Sequence, residues 1–103
     1  MSTRALEALD RILNRGGDAD DVLQSVVTVL VREPEIAWAG ISFFEEGKLS
    51  LGPTAGEADE TRRVRVPVTF QGSNVGELWI DGEAEPEFLA RVAVTISVSS
   101  GSR

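Results

Sequence analysis

Between Arg62 and Gly82 the chain alternates most regularly. Val64, Val66, Val68 and Phe70 are interleaved with Arg63, Arg65, Pro67 and Thr69, the period of two of a strand with one buried face. A second apolar run follows through Val75, Leu78, Trp79 and Ile80. The pattern predicts a hairpin. A three-residue loop Gly72-Ser73-Asn74 places Val68 opposite Leu78 and Val66 opposite Ile80, whereas a two-residue loop sets Val68 against Glu77 and spoils the buried face. Asn74 tolerates the left-handed conformation such a loop needs. In this register Arg65 faces Asp81 and Thr69 faces Glu77 on the other side of the sheet.

Upstream the spacing changes to three and four. Leu6, Leu9, Ile12 and Leu13 recur behind the candidate caps Ser2 and Thr3, and Asn14-Arg15-Gly16-Gly17 closes a short amphipathic helix. Asp18 is the next candidate cap, with Asp20 and Asp21 where the helix dipole favours negative charge. The wide stripe Val22, Leu23, Val26, Val27, Leu30 and Val31 then predicts a second helix, stopped by Pro34.

Ile36 to Phe44 has no polar face. Ala37, Ala39, Ile41 and Phe43 point one way; Ile36, Trp38, Gly40, Ser42 and Phe44 point the other. Such a strand belongs in the middle of a sheet with both faces at least partly covered. At Gly40 either something packs close or the strand bends. Glu46-Gly47 is a tight turn that pairs Phe44 with Leu49 and Ser42 with Leu51. Gly52 to Thr61, rich in Gly, Ala, Pro and acids, reads as an irregular, mobile surface loop.

The C-terminal segment has two readings. Phe88, Leu89, Val92, Ala93 and Ile96 have helical spacing after Pro86, a residue suited to a first helical turn. Val92, Val94, Ile96 and Val98 alternate as a strand would. The tail from Ser100 to Arg103 is expected to fray.

Composition narrows the function classes. The 103 residues suffice for one domain, 1–103, with a modest core. Seventeen acidic residues against ten basic give a net charge of −7, which argues against nucleic acid and anionic membranes. The chain has no cysteine and no histidine, so thiolate nucleophiles, disulfides, zinc–thiolate sites and imidazole chemistry are unavailable. The opening MSTRALEALDR is too charged for a signal peptide and no apolar run approaches a membrane span, so a cytoplasmic location is expected.

The order of elements is an α+β plan: an antiparallel β-sheet with N-terminal helices and a C-terminal helix packed on one face. DDVLQSVVTVLVREPEIAWAGISFFEEGKLSLGPTAG resembles the opening of a GAF domain. RVRVPVTFQGSNVGELWIDG resembles that family's late paired strands, and EPEFLARVAVTISVSS its closing helix. The resemblance spans nearly the whole chain and favours a helix at its end. It implies a GAF-like module that is shortened, because ligand-binding members insert a long lid between the hairpins where this chain has only Gly52 to Thr61. The N-K-x-F-D-E type signature of cyclic-nucleotide members is missing, as are the cysteines that bilin-binding and methionine-sulfoxide-reducing members use.

No nucleophile elbow, phosphate loop or metal-loop spacing is present, so no catalytic residue, metal or cofactor is expected and the chain reads as a non-enzyme. Helix capping explains Asp18, Asp20 and Asp21 better than a cation site. Trp79, Arg63 and Arg65 fall on the sheet face opposite the valine stripe, which Trp38, Ser42 and Gly40 could share, and there they could hold a planar or anionic small molecule or a signalling-protein partner. The bland alternative packs Trp79 under the Gly52–Thr61 loop and pairs Arg65 with Asp81. Leu6, Leu9, Leu13, Val22, Val26 and Val27 could form a homodimer interface, the association that the resemblance implies, or an ordinary intrachain core. A non-catalytic regulatory or sensory module, acting through homodimerisation, is the expectation.

Overall fold

Period-two segments in the middle of the chain and helical spacing at both ends build two layers. The computed structural model describes residues 3–15 and 17–101. The expected cap Ser2, the turn residue Gly16 and the last two residues lie outside them. Helices α1 (Thr3–Arg15) and α2 (Ala19–Val31) precede strands β1 (Ile36–Glu45) and β2 (Lys48–Gly56). A single 3-10 turn, Glu60–Arg62, leads into β3 (Arg63–Phe70), β4 (Ser73–Gly82) and helix α3 (Pro86–Gly101). The sheet is antiparallel in the order β2-β1-β4-β3, and the two central strands, β1 and β4, are the most buried.

One face of the sheet carries the core. Ala39, Ile41, Val68, Leu78 and Ile80 are fully buried there. α2 lies over β1 and β2, α3 over β3 and β4, and α1 packs across both helices. Val26, Val27, Leu30, Val92 and Ile96 complete the interior from the helix side with no exposed surface. At roughly 1.5–3 kcal/mol for each fully buried aliphatic side chain, this layer contact is the main stabilising term. The low helix propensity of the α2 valines is offset in this way.

The C-terminal segment resolves as a helix. Val92 and Ile96 are buried while Val94 is 61% exposed, which strand alternation would not allow. Glu85 precedes the helix and its carbonyl accepts the Leu89 amide at 3.0 Å. The helix extends to Gly101, past the point where fraying was expected. Asp18 occupies the N-cap position of α2 in extended backbone, but its side chain makes no capping hydrogen bond.

The β1–β2 hairpin pairs Phe44 with Leu49 and Ser42 with Leu51, as expected from the Glu46-Gly47 turn. The β3–β4 hairpin differs from expectation by two residues: Val66 faces Leu78, Val64 faces Ile80 and Arg63, not Arg65, faces Asp81. The turn is the two residues Gln71-Gly72, both with positive φ (52° and 82°), and Asn74 is already in the strand. An even turn would misalign the two faces. Val75 bulges out between the pairs Val68–Gly76 and Thr69–Asn74, and this extra residue restores them.

Two further departures have similar causes. Ala37 is an extra residue between the pairs Ile36–Gly82 and Trp38–Asp81, so Ile36 joins the core instead of sharing a face with Trp38. Most of the expected Gly52–Thr61 loop is structured: β2 continues to Gly56 and residues 60–62 form the 3-10 turn. Small residues and a bulge opposite Ile41 hid a strand that pairs through its backbone. Both edge strands carry a proline, Pro53 in β2 and Pro67 in β3.

Candidate functional site

The sheet face turned away from the helices collects the sequence-predicted site residues in transverse rows. One row reads Gly56, Trp38, Asp81, Arg63 across the four strands; the next reads Thr54, Gly40, Trp79, Arg65. A third contains Leu51, Ser42, Glu77 and Pro67. Trp38, Ser42, Arg63, Arg65 and Trp79 are therefore neighbours, as alternation predicts.

Arg63 is the centre of this face. Its Nε donates to Asp81 Oδ1 at 2.8 Å and its Nη2 to Oδ2 at 3.0 Å, a two-pronged contact. Its guanidinium carbon lies 4.5 Å from the Trp38 ring centroid and 5.3 Å from that of Trp79. Arg63 thus reaches from β3 across β4 to β1. Arg65 stacks on Trp79 at 4.5 Å, extending the series of alternating aromatic and cationic planes.

Asp81 is fully buried, and a bare carboxylate there would be unfavourable. The Arg63 fork and the Asp59 main-chain N–H, which donates to Oδ2 at 2.6 Å, both stabilise its charged form. The hydrogen bonds from Arg63 hold the Asp81 carboxyl below its ordinary value against burial, which acts to raise it; Asp81 in turn raises the Arg63 guanidinium. The Asp59 bond also ties the short crossover between β2 and β3 to the sheet.

Trp79 Nε1 donates to Glu77 Oε1 at 2.7 Å, and Arg65 Nη1 approaches the same oxygen at 4.0 Å. Arg65 remains 58% exposed, whereas the Arg63 side chain is 16% exposed. Trp38, 8% exposed, lies over Gly40, where only a hydrogen leaves room for its ring. Ser42 is buried, and its hydroxyl has no partner among the described residues. Asp81 and Glu77, which organise the face, were not singled out as site residues from the sequence. Their polar positions in an otherwise apolar strand were the signal that could have found them.

The six side chains considered for a subunit contact separate into two groups. Leu9, Val22, Val26 and Val27 are buried within the chain, Leu6 is half-buried, and Leu13 is 38% exposed. Leu13 lines a groove between α1 and α3 with Asp10, Ala90, Arg91, Val94 and Thr95. Among the described residues no group of three or more acidic side chains could hold a metal ion, and no helix is long and apolar enough to cross a membrane.

The four-stranded antiparallel sheet, with two N-terminal helices and a C-terminal helix on one face, is a GAF-like fold. The chain is similar to the GAF domain of an Acinetobacter phosphoenolpyruvate-protein phosphotransferase (TM-score 0.75, 15% identity, 99% of this chain and 95% of that one). It is also similar to a type II free methionine-R-sulfoxide reductase from Thermoplasma acidophilum (0.68, 20% identity, 82% and 93%). A third similar structure is a segment of a methyl-accepting chemotaxis protein (0.70, 13% identity, 92% and 95%). No family model matches the sequence, and no curated protein does. The fold therefore occurs in a phosphotransferase domain, a sulfoxide reductase and a chemotaxis protein.

Proposed function

We propose that this chain is a non-catalytic regulatory or interaction module that works as a homodimer through α1 and α3. The observation that carries this reading is the groove between those helices. Leu13 and Val94 are exposed at 38% and 61%, with Asp10 and Arg91 of opposite sign beside them. A two-fold contact would bury both apolar side chains and set Asp10 of each copy near Arg91 of the other. The absence of cysteine and histidine removes the chemistry most often used for nucleophilic and acid–base catalysis. The opposite sheet face supports the reading, since Arg63 and Trp38 are committed to intrachain contacts. A cytoplasmic setting and a signalling-protein partner belong to the same proposal.

Analytical ultracentrifugation over a dilution series tests it. The wild-type chain should sediment as a concentration-dependent dimer and Val94→Asp as a folded monomer. A monomer at all concentrations for the wild type removes the proposal.

A second reading is favoured by Arg65 alone. Its half-free guanidinium, stacked on Trp79, could hold a planar organic anion. Tryptophan fluorescence titrated with aromatic carboxylates and nucleotides should then change and saturate; a flat response removes this reading.

A further inference from the structure

Helix α1 has a face used neither by the core nor by the Leu13 groove. Arg4, Ala8, Arg11 and Arg15 recur at spacings of four, three and four, which places them on one stripe. That stripe looks onto α2, where Gln24, Ser25 and Thr28 face it and Arg32 closes the end. Ala8, Ile12 and Val29 form an apolar floor beneath a groove of about 370 Å³. Past Arg32 it opens into a second hollow bounded by Arg4, Glu33 and Pro34.

The charge distribution is unusual for this chain. Arg4, Arg11, Arg15 and Arg32 are four of only ten basic residues in a molecule of net charge −7. All four are exposed, and among the described residues none makes an ion pair. The end lined by Arg11 and Arg15 has no acidic side chain in its wall; Glu33 stands at the other end, with Arg4 and Arg32. Helix stability accounts for part of this, since Arg15 lies in the last turn of α1 and Arg32 caps α2, where the dipole favours cations. It does not account for Arg4, which sits in the first turn of α1 against the dipole, nor for Arg11 in mid-helix.

We propose that the groove between α1 and α2 binds a phosphate-bearing ligand with at least two adjacent anionic groups. Arg11 and Arg15 are one helical turn apart, about 6 Å along the axis, a spacing that lets two guanidinium groups fork onto neighbouring phosphates. Arg32 lines the other end of the groove, beside Arg4 and Glu33. The Ser25 and Thr28 hydroxyls donate to the Asp21 and Gln24 carbonyls of their own helix, so the arginines supply the donors. The concave shape and small volume favour a compact polyanion over an acidic protein surface. This site is separate from the α1–α3 groove and does not depend on dimer formation.

Nuclear magnetic resonance titration of the isotopically labelled chain, at about 50 mM salt to limit screening, provides the test. Inorganic pyrophosphate, inorganic triphosphate and adenosine triphosphate are the probes. Saturable shifts confined to residues 8–15 and 24–32 are expected with all three, and binding should weaken at least tenfold in the Arg11→Gln/Arg15→Gln double variant. A Lys48→Gln/Arg62→Gln control should bind as the wild type does. No saturation, shifts centred on residues 62–65, a response to the nucleotide alone, or an unchanged double variant overturns the proposal. If the double variant fails to fold, the wild-type shift map decides by itself.

Discussion

Arg63 and Asp81 are directly paired across the β3–β4 ladder, and each favours the charged form of the other. The pair has consequences for pH. The folded-state value of Asp81 lies below the ordinary 3.8, so its contribution to stability is complete above that value. The contribution falls away as pH drops through the lowered folded value, because the unfolded chain takes up the proton first. Melting temperature should therefore fall on acidification below about pH 4. In Asp81→Asn this component of the acid dependence should be missing, and the variant should melt at least about 5 °C lower at pH 7, the shift that 1 kcal/mol makes in a domain of this size. Equal melting temperatures at pH 7 would show that the pair contributes nothing net.

Gly76 and Gly40 both sit at close approaches, but the neighbours differ. A Cβ on Gly76 would lie 2.1 Å from the Ser42 carbonyl oxygen, which is fixed in the β1–β4 ladder. A Cβ on Gly40 would lie 2.6 Å from the edge of the Trp38 ring, which can tilt. Gly76→Ala should destabilise by 3 kcal/mol or more and Gly40→Ala by about 1–2 kcal/mol, the range for overpacking that side chains can absorb. Urea denaturation measures both. Gly40→Ala should also alter tryptophan emission, while an unaltered spectrum would place Trp38 elsewhere.

Ser42 presents the opposite case. Its buried hydroxyl has no hydrogen-bond partner among the described residues, and an unsatisfied polar group is unfavourable inside a protein. Ser42→Ala should be neutral or stabilising by up to about 1 kcal/mol. A loss beyond that, read from the same denaturation curves, would reveal a bond in solution.

Val92 and Val94 differ by two positions and by almost all of their burial. Val92→Ala should destabilise by about 1–3 kcal/mol through the cavity it leaves. Val94→Ala should leave monomer stability unchanged or slightly raised, because alanine is the better helix former. Comparable losses at the two sites would mean that this segment is not helical.

How far the sequence disclosed this arrangement depends on backbone register. The β1–β2 pairing was legible because Glu46-Gly47 permits one tight turn between two apolar runs. The β3–β4 pairing was not, because Val75 adds a residue that leaves no compositional mark. The set Trp38, Ser42, Arg63, Arg65 and Trp79 could be placed on one face, since a register error of two residues preserves sidedness. The choice of partner could not survive that error, and Asp81 was matched to Arg65. The contact between Arg63 and Trp38 spans two strand spacings, beyond the reach of nearest-neighbour pairing rules. The stripe of arginines on α1 carries no such signal in the sequence, because only the placement of α2 turns it into one wall of a groove.

Pro53 and Pro67 interrupt the amide rows of the two outermost strands, β2 and β3. Neither border offers an unbroken template for strand addition. Fibril growth by stacking sheet against sheet edge is thereby opposed from both sides, and copies of this chain that meet at high concentration are steered to associate through other surfaces.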